Sequence, residues 1–310
     1  MTERVIVIGS VNVDRTIQVD RFPRPGETLL ASSLSSSMGG KGANQAVAAA
    51  KSGATVAMLA SIGTDPEGSQ ALETLQRAGV DTAGVEQRAG VATGSAWITV
   101  SASENTILVV PGANAEWPES IPPFDRSAVV LCQLEIPLPV VERAAAATAG
   151  TFVLNAAPAR PLGDDLLSRC DVLIVNEHEL AEVSGRTTLD ASDDDALVAA
   201  ARALISRGVT AVATTLGSRG AVLCTADQTL TAATPPTPDV VDSTGAGDAF
   251  CGAFAARLAM GESLSAALRS GVTAGSLAVR HPTAQGGYDE FAQLTTFLRN
   301  TPEITTRSDR

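Results

Sequence analysis

Short β-branched runs alternate with alanine-rich stretches of helical period along nearly the whole chain, and few architectures accept that order. "VIVIG" precedes "NQAVAAAKSG", "VAMLASIG" precedes "SQALETLQRAGV", and "AVVLCQLE" precedes "VVERAAAATAG". "FVLNAA" precedes "LGDDLLSRC", "VLIVNE" precedes "ELAEVSG", and "AVATTLG" follows a helix predicted over 194–206. Strands separated by helices cannot pair as hairpins; they line up parallel and need both faces of their sheet covered. The expected class is therefore α/β, a mostly parallel central sheet with helices on both faces. Gly53, Gly79 and Gly208 fall where helices should stop, because glycine takes the left-handed C-terminal cap without strain. With 310 residues, 45% of them hydrophobic, a single domain spanning 1–310 can bury a full core.

Two regions break the alternation. Thr16 to Leu34 is extended and turn-rich, and Thr93 to Val110 reads as a hairpin around "SASEN". Together, over about 14–37 and 92–112, they predict a small β-sheet growing out of strand-to-helix connections at one end of the main sheet. That position suits a lid over a ligand site, with an ordinary edge extension as the plainer alternative. Ile17, Val19, Trp97, Ile98 and Val109 offer such a sheet one apolar face. "TPPTPD", from Thr234 to Asp239, reads as a stiff connector, and the polar tail after Asn300 is expected to be mobile.

Composition removes several function classes. The chain carries 34 acidic and 22 basic residues, a net charge of −12, and no lysine or arginine run, which argues against nucleic acid and anionic membrane as partners. The first apolar run is too short for a secretory signal, and no stretch approaches the roughly 18 apolar residues of a membrane span, so a cytoplasmic protein is expected. Cys132, Cys170, Cys224 and Cys251 are widely spaced in apolar company and read as buried hydrophobes. Two histidines, His178 and His281, leave little material for a histidine zinc site or a Ser/His/Asp triad.

The chemistry concentrates in glycine-rich helix starts and strand ends. In "VDSTGAGDAF" a glycine pair opens an apolar helix, leaving the amides of Gly245, Ala246 and Gly247 free to bind an anion. Asp248 in the first turn can take a proton from an attacking hydroxyl, and alone reads equally as a capping carboxylate. "GGKGANQA" lets backbone at Gly40 and Gly42 approach a ligand while Lys41 and Asn44 hydrogen-bond hydroxyls; a plain tight turn is the alternative. It is not a Walker A loop, because Gly42 follows Lys41. "GSVNVD" puts Asn12 and Asp14 on one face of a strand, able to clasp vicinal hydroxyls, and Glu135 ends a buried strand where open parallel sheets bind ligands. Asn176 and Glu179 in "VNEHEL" have oxygen ligands for Mg²⁺ and equally the spacing of a capping box. "TLGSRG", Thr215 to Gly220, is a small-residue turn suited to a nucleotide, or simply a hairpin turn.

In this order the motifs resemble the ribokinase/PfkB-type family of carbohydrate kinases over nearly the whole chain. The resemblance is carried by "GSVNVD", "GGKGANQA", "NAAPAR" at 155–160, the NxxE pattern of "NEHE", "TLGSRG" and "DSTGAGD". It implies phosphorylation of a sugar by ATP, with D-ribose at its 5-hydroxyl expected first and 2-deoxyribose, another sugar or a nucleoside as alternatives. It places Asp248 as base and Gly245, Ala246 and Gly247 as the anion hole. The sugar falls to Asn12, Asp14, Gly40, Lys41, Gly42, Asn44, Glu135 and Asp248. ATP falls to Asn176, Thr215, Leu216, Gly217, Ser218, Arg219, Gly220 and Gly247, with Glu179 acting on Mg²⁺ through water. An activating K⁺ is implied at Asp242 and at carbonyls of Thr244, Ala278, His281 and Thr283. Where the family pattern has a serine after "GAQ", this chain has Gly286 and Gly287, so a Gly287 carbonyl or a water would complete that site. The family also implies a homodimer paired through the lid.

Two readings from other classes compete. A dinucleotide-binding oxidoreductase fails because the turn after the first strand is "GSVNVD", without GxGxxG. An inactive sugar sensor is disfavoured by the retained Asp248, Lys41 and glycine turn.

Overall fold

Runs of Val, Ile, Leu and Ala with no polar alternation suit strands covered on both faces, and that is what they form. The computed structural model describes residues 4–101, 104–237, 239–288, 291–299 and 301–308. The first half contains β1 (Arg4–Ile8), β2 (Asn12–Gln18), β3 (Ser33–Gly39), α1 (Lys41–Lys51), β4 (Thr55–Gly63), α2 (Pro66–Arg77), β5 (Val80–Arg88), β6 (Gly94–Ser101) and β7 (Glu104–Val110). Then come β8 (Ala128–Gln133), α3 (Leu138–Ala147), β9 (Thr151–Asn155), α4 (Asp164–Leu167), β10 (Val172–Asn176), α5 (Glu177–Val183) and α6 (Asp194–Ile205). The last third holds β11 (Ala211–Thr215), β12 (Ala221–Cys224), β13 (Gln228–Ala232), α7 (Ala246–Ala259), α8 (Leu264–Ala278), α9 (Phe291–Leu298) and β14 (Thr305–Ser308).

The main sheet has ten strands in the order β14-β13-β12-β11-β10-β9-β8-β1-β4-β5. It is parallel from β5 to β11 and antiparallel from β11 to β14. Alternation along β1 divides the core: Val5 and Val7 join Met58, Phe254 and Leu268 on one face, while Ile6 and Ile8 join Val130, Leu154 and Leu173 on the other. Gly53, Gly79 and Gly208 end their helices with φ of 95°, 86° and 108°, as the sequence predicts. The tail after Asn300 differs from expectation: β14 pairs with β13, because its threonines fit a strand and the free edge of β13 supplies the ladder.

Residues before and after α1 make a second sheet, order β3-β2-β6-β7. The "SASEN" turn at 102 and 103 lies outside the described residues; β6 and β7 pair antiparallel up to Ser101 and Glu104 on either side of it. Register puts Asn12, Asp14, Ala96, Ile98, Ile107 and Val109 on one face and Arg15, Ile17, Trp97, Leu108 and Val110 on the other. The single apolar face expected from Ile17, Val19, Trp97, Ile98 and Val109 is therefore divided. Ile98 and Val109 share the face of Asn12 and Asp14, and Ile17 and Trp97 point the opposite way, since a strand turns each successive side chain over. Among the described residues no helix is long and apolar enough to cross a membrane, and all four cysteines are buried.

Candidate active site

α1 begins where "GSVNVD" follows β1 and where Glu135 follows β8. Gly40 caps it at φ 88°, and a Cβ there would stand 2.7 Å from the Asn12 amide nitrogen. A Cβ on Gly42 would stand 2.5 Å from backbone atoms of Gly9 and Ser10, so glycine lets the helix start lie directly on the end of β1. Its amides are already taken. Lys41 N–H donates to Glu135 Oε2 (3.0 Å), Gly42 N–H to Ser10 Oγ (3.2 Å) and Ala43 N–H to the Ser10 carbonyl (2.9 Å). Ser10 Oγ in turn donates to Glu135 Oε2 (2.5 Å). Glu135, expected to hold ligand, thus also caps α1 with one oxygen, and Ser10 is a site residue the sequence reading missed.

Asn12 is buried, and its Oδ1 accepts from Asn114 Nδ2 (2.8 Å). Asn114 also clasps both backbone groups of Val11, which fixes the Asn12 amide with its nitrogen turned away from Asn114. Nothing in the pattern around "PGANAEW" signalled that role. The Asp14 carboxylate lies against Gly39, where a Cβ would come within 2.1 Å of it. Burial, then Glu135 and Asp248, push the Asp14 carboxyl up to about 6, against the pull of Lys41. Lys41 is half-buried; burial opposes its charge, but Asp248, Glu135 and Glu179 outweigh that and raise it.

α7 starts on Gly245 at φ 79°, where a Cβ would stand 2.4 Å from the Ala284 carbonyl oxygen. Tyr288 Oη donates to the Gly245 carbonyl (3.1 Å), holding the turn from behind. Among the described residues no acceptor takes the amides of Gly245, Gly247 or Asp248, whereas Ala246 N–H donates to the Ser243 carbonyl (3.2 Å). Two of the three amides of the expected hole, those of Gly245 and Gly247, are thus open, and the Asp248 amide adds a third. Asp248 is 8% exposed and reached by α1: Asn44 Nδ2 donates to its Oδ2 (2.9 Å) and Gln45 Nε2 to its Oδ1 (2.8 Å). Gly252, one turn further, permits this approach, since a Cβ there would stand 2.6 Å from Ala48 Cβ. Gln285 Nε2 donates to Asn44 Oδ1 (2.9 Å) and so orients that amide. Burial pushes the Asp248 carboxyl up, while Lys41, Gln45 and Asn44 act against it.

A cavity of about 140 Å³ joins Lys41, Asn176, Glu179, Gly245, Gly247 and Asp248. Next to it a cleft of about 490 Å³, sized for a small-molecule ligand, is lined by Thr215, Gly217, Ser218, Gly220 and Gly247 of the expected nucleotide set. The sequence reading missed its other walls, the 234–237 connector and the small-residue face of α8 at Gly271 and Gly275. Leu216 and Arg219 of the expected nucleotide set do not line this cleft. Leu216 is buried in the core, and the Arg219 guanidinium pairs with Asp194 (3.0 Å) and the Ala191 carbonyl, because the short turn between β11 and β12 directs it back toward α6.

Asn176 and Glu179 form a complete capping box: Asn176 N–H donates to Glu179 Oε2 and Glu179 N–H to Asn176 Oδ1, both at 2.8 Å. The second carboxylate oxygen of Glu179 is left for other partners, and burial pushes its carboxyl up. Among the described residues no group of three or more His, Cys, Asp or Glu side chains is placed to hold a metal ion. Asp242 accepts from the amides of Thr244 (2.9 Å) and Thr283 (3.1 Å). Burial works against its charge, but those hydrogen bonds hold the carboxyl below its usual value. Thr283 adopts φ 69°, and a Cβ on Gly287 would stand 2.2 Å from the Ala278 carbonyl oxygen.

A buried carboxylate beside open helix-start amides, between a polar hydroxyl grip and a nucleotide-sized cleft, defines a phosphotransferase. The chain belongs to the pfkB family of carbohydrate kinases, whose model matches residues 2–290. It is 36% identical to a ribokinase of Staphylococcus aureus, covering 92% of this chain and 96% of that one. It is 34% identical to a deoxyribokinase of Salmonella typhi, covering 95% and 98%. A bifunctional ribokinase/ribose-5-phosphate isomerase A of Fructilactobacillus sanfranciscensis is 37% identical over 83% of this chain, which spans about half (48%) of that protein. The solved structure of Arabidopsis thaliana ribokinase complexed with ribose and ATP superposes with a TM-score of 0.89 at 30% identity, covering 96% of this chain and 99% of that one.

Proposed function

We propose that this chain transfers the γ-phosphoryl group of ATP to the 5-hydroxyl of D-ribose. The observation that carries the reading is the placement of Asp248, whose buried carboxylate touches Asn44 of the sugar grip on one side and adjoins the open amides of Gly245 and Gly247 on the other. Asn12, Asp14, Asn44 and Glu135 orient the ribose hydroxyls, and Asp248 accepts the proton of the attacking one. Lys41 and the α7 amides meet the charge that spreads over the transferred oxygens, so catalysis is mostly positioning and electrostatics. The base of ATP enters the 490 Å³ cleft between the 217–220 turn and α8, which directs its phosphates toward Gly247. Mg²⁺ would bind the phosphates with Glu179 behind a water, supplying charge neutralisation. K⁺ would sit at Asp242 and the carbonyls of Thr244, Ala278, His281, Thr283 and Gly287, adding positive charge behind the anion hole.

The β3-β2-β6-β7 sheet acts as a lid on this reading, limiting the access of water that competes for the phosphoryl group. Leu108 is 68% exposed and Trp97 39%, both on the sheet face away from Asn12, and this face pairs two copies into a homodimer. Four reduced cysteines and a need for ATP fit the cytoplasm. The relative that acts on deoxyribose makes 2-deoxyribose the second reading.

The test is ADP release from ATP and Mg²⁺ with ribose, 2-deoxyribose, fructose or adenosine, each in K⁺ and in Na⁺. Ribose-dependent turnover stimulated by K⁺ is expected. Turnover on another substrate alone would overturn the assignment of Asn12 and Asp14 to ribose, and equal rates in both salts would remove the cation site.

A further inference from the structure

We propose that Gln45 is a positioning residue that locks Asp248 as a hydrogen-bond acceptor, with Asn155 and Gln133 deciding which end of the Gln45 amide faces it. The inference rests on the reading of Asp248 as the base. Its starting point is the carbonyl of Ile174, in the middle of β10, which can only accept. Asn155 Nδ2 donates to it (3.2 Å), so Asn155 must turn Oδ1 toward Gln45, whose Nε2 donates to that oxygen (3.0 Å). The second proton on the same nitrogen goes to Asp248 Oδ1 (2.8 Å). Gln45 Oε1 is left to accept from Gln133 Nε2 (2.7 Å). Each amide direction follows from the one before, and reversing Gln45 would aim an oxygen at a carboxylate while breaking both flanking bonds.

Gln45 and Gln133 are fully buried beneath the cavity and reach no ligand surface, although burying a glutamine costs rotamer entropy and solvation. Gly9 makes room for the relay, since a Cβ there would stand 2.0 Å from Gln133 Oε1. The charged and titratable groups around Asp248 are Lys41 from α1, Asp14 from β2, Glu135 beyond β8, Glu179 from α5, Cys251 on α7 and Tyr288. Burial holds the Asp248 carboxyl high and Gln45 pulls it down. Without that donor the proton stays on to higher pH, and the base is lost over a wider acid range.

The experiment compares wild type, Gln45→Met, Asp248→Asn and the double variant by ribose-dependent ADP release across pH, with thermal midpoints measured in parallel. Gln45→Met is expected to lower kcat about 10-fold, with KM for ribose nearly unchanged and the acid limb moved up by about one pH unit. In the Asp248→Asn background the same change is expected to cost nothing further, because it acts only through that carboxylate. An unmoved acid limb, or an equal loss in both backgrounds, overturns the proposal. Near-normal turnover of Asp248→Asn sinks the base reading instead, whatever Gln45→Met does. Should Gln45→Met not fold, Gln133→Met removes the lock without touching Asp248; a smaller kcat loss with the same pH displacement is expected, and an unchanged profile overturns the proposal.

Discussion

The starts of α1 and α7 are built alike and used oppositely. Both open on a left-handed glycine, Gly40 and Gly245, with no side-chain cap from that residue. At α1 the first amides are consumed by Glu135 and Ser10, so the helix start is a structural joint. At α7 the amides of Gly245, Gly247 and Asp248 meet no acceptor among the described residues, so the positive end of the helix is available to an anion. A glycine-rich helix start is thus not a phosphate site in itself. What decides is whether the fold brings an acceptor of its own to the amides.

Four substitutions put this contrast to the test. Asp248→Asn should lower kcat by about 10²–10⁴-fold while ATP binding, measured by calorimetry, stays close to wild type. Gly245→Ala forces a side chain onto the Ala284 carbonyl at positive φ and should lower kcat about 10²-fold by misaiming the open amides. A matched Gly42→Ala variant should instead lose stability, by about 2 kcal/mol in urea unfolding, because its added carbon meets the backbone of Gly9 and Ser10. If Gly42→Ala lost rate without stability, the closed description of α1 would be wrong. Ser10→Ala removes one α1 acceptor and should cost about 1 kcal/mol, with kcat changed much less than by Gly245→Ala.

The smallest effect concerns Asp14. Its carboxyl is raised to about 6 in the folded chain, above its unfolded value, so the folded state binds the proton more tightly. The sign is therefore the reverse of an ion-paired aspartate: the group weakens the fold above about pH 6 and ceases to do so as pH falls toward 4. Asp14→Asn should raise the thermal midpoint slightly at pH 7.5, by about 1 kcal/mol or less in stability, while raising KM for ribose. A midpoint that falls would contradict the burial argument. In the wild type, kcat/KM for ribose should drop as pH falls through about 6, since a protonated Asp14 accepts fewer hydroxyl bonds.

The fold was legible because its signals are local. A run such as "AVVLCQ" announces a strand buried on both faces, and β8 has all six residues buried. The grouping of Asn12, Asp14, Lys41, Asn44, Glu135 and Asp248 was legible through family likeness more than through chemistry. Where the reading went astray, the reason was geometry. Ile98 and Trp97 look like one apolar face until alternation separates them. Asn114, Tyr288 and the 234–237 wall had no motif to mark them.

By itself the sequence determined the α/β class, the two glycine-opened helices and the carboxylate that follows the second, because periodicity and turn chemistry act within a few residues. Which helix start is closed, and what holds the Asp248 carboxylate, came from the three-dimensional arrangement. The acceptor for the Lys41 amide lies 94 residues away, and the donors to Asp248 lie 203 and 204 residues away. Hydrogen-bond satisfaction is a property of what arrives next to a group in space, and chain order carries no direct record of it.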